Sequence, residues 1–362
     1  MNIFFCFDLS EKKSGWSTAS AQYLNKIDNK IIFCNKKDLS LPDIQYEILK
    51  SPLKYISNPI LIFIDYFKIR KIIKENVKNH NASVHFLVEP YVLFLPLIKN
   101  FFSNVIYYAH GTYSNILYNN FKTKFIFLFC LKNITHFIYA SIYTKKKLNK
   151  NFLPNKNCKT YIINCATTFK LKERRPSNFF FILSVGAVKE RKGYSNLINV
   201  ANLVVNKFKN NIKFYIAGEI ADNNYFNDLT YKIKKFSLEN HVIFLKKVSD
   251  AKLNYYYNKC SLFILLSTDV NDHFEGFGLV YLEALSRGKP IIVSKNSGAS
   301  QLRDFNKDIF IADPSNVLSI SDYINKIYKN KIKINYKKNI KTLIDYANLN
   351  FKNFKIFTKE LI

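Results

Sequence analysis

The chain has 362 residues, 48% of them hydrophobic and 22% charged, with a formal net charge of +29. Such a length suits two hydrophobic cores better than one, and such an apolar content belongs to a folded chain, not a disordered one. A membrane span needs about 20 apolar residues, and the central run over residues 91–98 is short and holds Pro96, so no span is expected.

Residues 1–8 are apolar but lack a charged leader and a small-residue cleavage site, so no secretory signal is expected. Cys6, Cys34, Cys130, Cys158, Cys165 and Cys260 are scattered, with no C-x-x-C pair and no His at metal-ligand spacing. They read as reduced cytoplasmic thiols, and no metal site is expected. The basic balance admits three readings: nucleic-acid binding, attachment to an anionic membrane surface, and the codon bias of an AT-rich genome. Of the 55 basic residues only Arg70, Arg174, Arg175, Arg191, Arg287 and Arg303 are arginine. That share counts against nucleic acid, whose phosphate and guanine contacts favour the guanidinium fork.

In chain order, strands are expected at residues 2–8, 31–34, 60–64, 84–88, 105–109 and 136–140. Helices are expected over 18–27, 67–80 and 115–132. Apolar strands alternating with helices indicate a parallel sheet covered on both faces. Residues 171–178, LKERRPSN, are charged and lack an apolar period, which marks a linker. A second alternating series follows, with strands at 179–185, 214–217, 242–245, 262–266, 290–293 and 309–312. The expected domains are residues 1–170 and 178–345, each Rossmann-like, and the basic, aromatic C-terminal stretch, about 345–362, is a helix that returns to the first. Ligands of such sheets bind at the carboxyl ends of the strands.

The most informative stretch is HFEGFGLVYLEALSRGKP, residues 273–290. Gly276 and Gly278 flank Phe277 and let the backbone approach a ligand closely. A helix opening near Gly278 and Leu279 would aim free N–H groups at an anion such as a diphosphate. Glu283, about one and a half turns in, could accept hydrogen bonds from a ribose diol, and Glu275, before the turn, from sugar hydroxyls. For either glutamate alone, a solvated helix with an ordinary glycine entry loop is the better account.

Two glutamates seven residues apart around Gly-Phe-Gly-Leu, followed by Ala-Leu-x-x-Gly-Lys-Pro, resemble the retaining glycosyltransferases of family 4. The resemblance covers most of the second domain. VGAVKERKG, residues 185–193, looks like the family's strand–loop–helix motif, in which Lys192 matches the lysine that holds the donor diphosphate, with Gly186 in the turn and Arg191 beside it. FYIAGE, residues 214–219, resembles the next strand and its glycine turn at Gly218. The segment 242–250 then carries Val248 in the loop that lies against the nucleotide base. Ala187 stands where the family commonly has Arg, leaving Lys189 or Arg191 to supply that charge, and Lys247 stands where Gly is usual. In the first domain the resemblance is weaker: Gly15 matches a phosphate-approaching glycine loop, and His110 a histidine at a strand end that contacts the transferred sugar. INCATTF, residues 163–169, is similar to the family's short interdomain segment, with Cys165 in place of Gly.

The resemblance implies an α/β GT-B fold, two Rossmann-like doubly wound domains facing across a cleft. It implies retaining transfer from a nucleotide sugar, UDP first and GDP second, to a saccharide or lipid-linked saccharide acceptor of surface polysaccharide or lipopolysaccharide synthesis. Glu275, His110 and Lys192 would be catalytic. No cofactor is expected, and no metal, since the chain has no Asp-x-Asp triplet and Asp269 and Asp272 are three apart. The expected location is cytoplasmic, peripheral on the inner face of the membrane, with no nucleic-acid partner. A GT-B epimerase or phosphorylase is the alternative enzyme, and a basic lipid- or nucleic-acid-binding protein the alternative class.

Overall fold

The computed structural model describes residues 1–7, 9, 15–24, 27, 30–35, 45–78, 82–164, 179–207 and 211–360. The linker expected at 171–178, Cys165 and most of the loop before Gly15 lie outside the described residues. The chain divides into two compact units, Met1–Thr168 with Leu349–Ile362, and Phe169–Asn348.

The first unit contains β1 (Asn2–Phe5), α1 (Gly15–Leu24), β2 (Lys30–Cys34), β3 (Gln45–Ile48), α2 (Pro52–Ser57), α3 (Leu61–Asn76), β4 (Ser83–Phe86), α4 (Leu95–Ile98), β5 (Asn104–Ala109), α5 (Thr112–Asn119), α6 (Lys124–Asn133), β6 (His136–Tyr139), α7 (Ile142–Leu148) and β7 (Lys159–Ile162). Its sheet has the order β3-β2-β1-β4-β5-β6-β7, with every pairing parallel. The four residues of β4 and those of β6 are all buried, as an uninterrupted apolar strand in a doubly covered sheet should be. Ser83, His136 and His85 are the polar exceptions, and of these the fully buried one is His85. Its ring stacks on Phe4 at 4.3 Å, with Asn2 and Tyr23 beside its nitrogens, and burial together with His136 lowers its pKa to about 3. Phe354 and Phe357, from the chain's last helix, belong to the same core as Phe4, Tyr23 and Ile106.

The second unit contains β8 (Phe181–Val185), α8 (Tyr194–Asn202), β9 (Lys213–Ala217), α9 (Asn223–Lys235), β10 (Val242–Lys246), α10 (Asp250–Lys259), β11 (Leu262–Leu265), α11 (Val280–Leu285), β12 (Ile291–Ser294), β13 (Phe310–Ala312) and α12 (Val317–Tyr328). Helix α13 (Tyr336–Lys359) starts in this unit and ends in the first. The sheet order is β10-β9-β8-β11-β12-β13, again all parallel. In each sheet the chain winds outward from a central strand and then returns to its other side. The order therefore reverses between β1 and β4 in one unit and between β8 and β11 in the other, the positions where such sheets bind ligands.

Three local expectations change. The strand expected at 60–64 is the start of α3: Ile62 is buried, but Ile60, Phe63 and Ile64 face outward. A five-residue apolar run fits strand and helix periods equally, and burial selects the helix here through Ile62, Ile69, Ile72 and Ile73. The helix expected over 115–132 is two helices, because the Asn120 carbonyl accepts from both Thr123 and Lys124 and turns the chain. Strands β3 and β7, at the sheet edges, were not foreseen: Lys159 and Thr160 of β7 are exposed, so no apolar run announces it.

Candidate active site

At the switch point of the second unit three glycine turns pack backbone against backbone. Gly186 follows β8 with φ +154°, and its N–H donates to the Ala217 carbonyl at 2.9 Å. A Cβ at Gly218 would overlap the Gly186 carbonyl, and one at Gly193 would overlap the Leu266 carbonyl after β11. Gly193 also sits at φ +70° as the residue capping α8. Gly193→Ala is therefore expected to cost about 3 kcal/mol or more, through backbone overlap and a left-handed alanine. A urea midpoint giving a loss below about 1 kcal/mol would contradict this packing.

Through this turn runs the side chain of Lys192, whose Cε lies 3.1 Å from where a Cβ of residue 186 would be. Lys192 Nζ donates to Glu275 Oε2 at 2.5 Å and Arg191 Nη1 donates to the same oxygen at 2.6 Å. Both Lys192 and Glu275 are only 9% exposed. Burial pushes the Glu275 carboxyl upward, but Lys192 and Arg191 outweigh it and hold the pKa at about 2. Lys192 is lowered, by burial first and by Arg191, against the pull of Glu275. Lys189 completes the cluster: burial, Arg191 and Lys192 bring its pKa down to about 8. Burial, Arg191 and Lys189 likewise lower His273. Three cations around one carboxylate leave a surplus of positive charge in a poorly solvated place, with the like charges beside Lys189 and Lys192 adding to burial in lowering both, an arrangement suited to an anion.

The Glu275 loop closes the site from the other side. Gly278 lies at φ +90°, and a Cβ there would come 3.7 Å from Glu275 Cγ, so the loop and the cations meet at one carboxylate. The N–H groups of Gly278, Leu279 and Val280 have no acceptor among the described residues. Helix α11 begins at Val280, two residues later than Gly278, and has only six residues, so its free N–H groups matter more than any long dipole. The Phe277 ring is buried and stacks on Tyr346 at 5.3 Å, which anchors the loop and leaves its backbone to a ligand. Glu283 is half-buried within reach of the Tyr257 hydroxyl, and Arg287 lies over the Tyr257 ring at 4.8 Å. Val248 is half-buried after β10, where the Lys246 carbonyl accepts from Gly218. Gly276 sits between Glu275 and Phe277 in the same loop.

The switch point of the first unit carries Gly15 and His110. Gly15 opens α1, and His110 follows β5. The His110 ring stacks on Tyr108 at 4.6 Å, and its Nε2 lies 3.0 Å from the Leu87 carbonyl, which requires a proton on that nitrogen. Burial lowers its pKa despite Glu89, so the ring is neutral near pH 7. Glu89 was not foreseen. It is fully buried, and it accepts from Trp16 Nε1 at 2.9 Å, Gly111 N at 2.8 Å and Ser114 Oγ at 3.2 Å. One carboxylate thus ties the start of α1 to the start of α5 and sets the backbone on which Gly15 and His110 stand. The sequence signal was an acidic residue directly after an apolar strand and before Pro90.

Two parallel Rossmann-like sheets with these turns define the GT-B class, and comparison with solved structures agrees. Anabaena HepE in complex with UDP superposes with a TM-score of 0.73 at 16% identity, covering 100% of this chain and 99% of that one. The lipopolysaccharide outer core galactosyltransferase WaaB gives a TM-score of 0.70 at 17% identity, covering 99% and 100%. At these identities the likeness is one of fold. The family model for glycosyl transferases group 1 matches residues 166–348, and the chain belongs to that family. An uncharacterized glycosyltransferase of Methanocaldococcus jannaschii is 26% identical over 225 residues, which is 61% of this chain and 58% of that protein's length.

Proposed function

We propose that the chain is a retaining, metal-independent glycosyltransferase of family 4 that moves a sugar from a nucleoside diphosphate sugar to a saccharide or lipid-linked saccharide acceptor. The observation that carries this reading is the meeting of Arg191 and Lys192 on Glu275, with Lys189 close enough to feel all three charges and the Gly278 turn beside the Glu275 side chain. In glycosyl transfer the anomeric bond to the diphosphate breaks through an oxocarbenium-like state, and negative charge grows on the leaving phosphate. Fixed cations and free N–H groups stabilise that charge more in the transition state than in the bound donor, and so lower the barrier. Side chains already supply the charge that a metal ion would otherwise bring.

Glu275 Oε2 holds the two cations, which leaves Oε1 to accept a hydroxyl of the transferred sugar. Glu283 takes the ribose diol, and Val248 with the Gly218 turn takes the base. His110, neutral, contacts the transferred sugar, and Gly15 approaches the phosphates. Retention follows from attack on the face the diphosphate leaves, with the departing phosphate taking the acceptor's proton. UDP is the first nucleotide to test, since the HepE structure holds it, and GDP the second. Surface polysaccharide or lipopolysaccharide synthesis is the setting we assign, in line with the WaaB fold likeness.

Calorimetric titration with UDP- and GDP-sugars across pH tests the reading. Free Lys189 loses its proton near pH 8, and a diphosphate binds the protonated form. Donor affinity should be constant below about pH 8. Above it, affinity should fall by up to about tenfold per unit until the pKa of the bound state is passed. Absence of nucleotide-sugar affinity at any pH, or an affinity that rises through this range, would refute it.

A further inference from the structure

Two surface helices of the first unit carry apolar stripes that the core does not use. On α3 the buried positions are Ile62, Ile69, Ile72 and Ile73. The outward positions Ile60, Phe63, Ile64 and Phe67 are 69%, 59%, 62% and 74% exposed, and the same face continues into Lys71 and Lys74. On α6 and the turn before it, Phe127, Cys130 and Leu131 point inward. Phe121, Phe125 and Phe129 point outward, with exposures of 78%, 81% and 44%, and that stripe ends in Lys132. Both helices pack on the buried segment Glu89–Phe94. Lys122 Nζ lies 3.4 Å from the Ser57 carbonyl, three residues before Ile60, so the stripes approach one another at their phenylalanine ends.

Charge identifies what this face meets. Between Glu89 and Glu173 the sequence has no Asp or Glu, yet it has 12 lysines. Within the described part of that stretch lie Lys122, Lys124 and Lys132 around the α6 stripe. Asp65 of α3 is already taken by Lys50 and the Tyr55 hydroxyl. Bias toward AT-rich codons would raise lysine without removing acidic residues from one stretch, because Asp and Glu have AT-rich codons as well. An exposed phenylalanine stripe rimmed by lysine, with exposed Glu75 only at the lysine end of α3, complements an anionic lipid surface: the rings enter the acyl boundary and the lysines reach the headgroups. A nucleic-acid partner would leave the aliphatic Ile60 and Ile64 without a role.

We infer that the α3 and α6 faces together dock the first unit onto a bilayer containing anionic lipid. Topology then orients the docked chain. Strand β3 ends at the carboxyl edge of the sheet and β4 starts at its amino edge, so α3, about 24 Å long, runs from the first edge towards the second. Its phenylalanine end therefore lies towards the edge that carries His110 and Glu89, and its lysine end away from it. Docking would hold that edge near the membrane, where a lipid-linked acceptor resides. The docking itself does not depend on the donor chemistry proposed above.

The test is flotation of the full chain with vesicles of phosphatidylcholine containing about 30% phosphatidylglycerol, alongside vesicles of phosphatidylcholine alone. The wild type is expected to float with the anionic vesicles and not with the neutral ones. The double variant Phe67→Ser/Phe125→Ser should lower partition about tenfold or more. Lys71→Glu/Lys122→Glu should lower it about fivefold or more per lysine at low salt. All four positions face solvent, so unchanged thermal unfolding and an unchanged affinity for the nucleotide sugar serve as internal controls. Equal binding to neutral vesicles, a serine variant that floats like the wild type, or a dimer that the serine variant dissociates would each overturn the inference. So would tighter binding to duplex RNA than to vesicles. Failure of donor binding with flotation intact would count against the transferase reading alone.

Discussion

Lys192→Met is expected to lower kcat/KM about 1000-fold and to weaken nucleotide-sugar binding about tenfold or more. The ammonium is buried, fixed at 2.5 Å from Glu275, and stands among the cations on which, in the proposed reaction, a departing diphosphate gathers charge. Methionine fills the channel over Gly186 but carries no donor. The fold should tolerate it, because Arg191 still pairs with Glu275. Lys192→Arg should not rescue activity, because a broad planar guanidinium does not reproduce a buried point-charge ammonium fixed at 2.5 Å from Glu275. Steady-state kinetics with donor titrations check both variants. Activity of the methionine variant within threefold of the wild type would remove the anion site, and full rescue by arginine would reduce its role to charge alone.

Glu275→Gln should separate binding from turnover. The amide keeps the shape but leaves two cations at the buried end of the cluster without their carboxylate, at a cost of about 3 kcal/mol in stability. A nucleoside diphosphate supplies the missing negative charge, so UDP should stabilise the variant more than it stabilises the wild type. Turnover should nevertheless fall about 100-fold or more, since the cations are no longer held in place and the sugar hydroxyl loses its acceptor. The stability gap has a defined pH dependence. The native pKa is about 2 against an ordinary 4.5, so the carboxylate's contribution is full above about pH 4.5 and fades as pH falls towards 2. Wild type and variant should therefore converge in acid. Thermal unfolding with and without UDP, at pH 7 and through the acid range, measures every term. Equal stabilisation of both proteins by UDP would show that Glu275 and the diphosphate do not share the cluster.

The second unit was the more legible in sequence because its site is made of turns, and a turn is a local event. Gly186 and Gly218 directly follow β8 and β9, and Gly193 and Gly278 stand just before α8 and α11, so the end of an element and its glycine announce one another. The ion cluster was half legible. Lys192 and Glu275 were each singled out, but their meeting across 83 residues depends on β8 and β11 being neighbours. For the same reason the sequence assigned Glu275 to sugar hydroxyls alone, whereas the fold gives one of its oxygens to two cations. Glu89 left only a faint local mark, an acid after an apolar strand, and its role was illegible because its three donors come from residues 16, 111 and 114. The run at 60–64 was misread because burial, which a single segment does not encode, decides between its two periods.

By itself the sequence determined the alternation of strand and helix, the two units of a parallel-sheet protein, the glycines that permit close backbone approach, and the surplus of lysine. These follow from nearest-neighbour geometry and from composition. Tertiary structure alone decided which side chains share a site, which carboxylate is buried without a cation, and which apolar residues stay in water. Those outcomes rest on strand order, and strand order is set by how whole sheets and helices cover one another's faces, a balance no short segment carries.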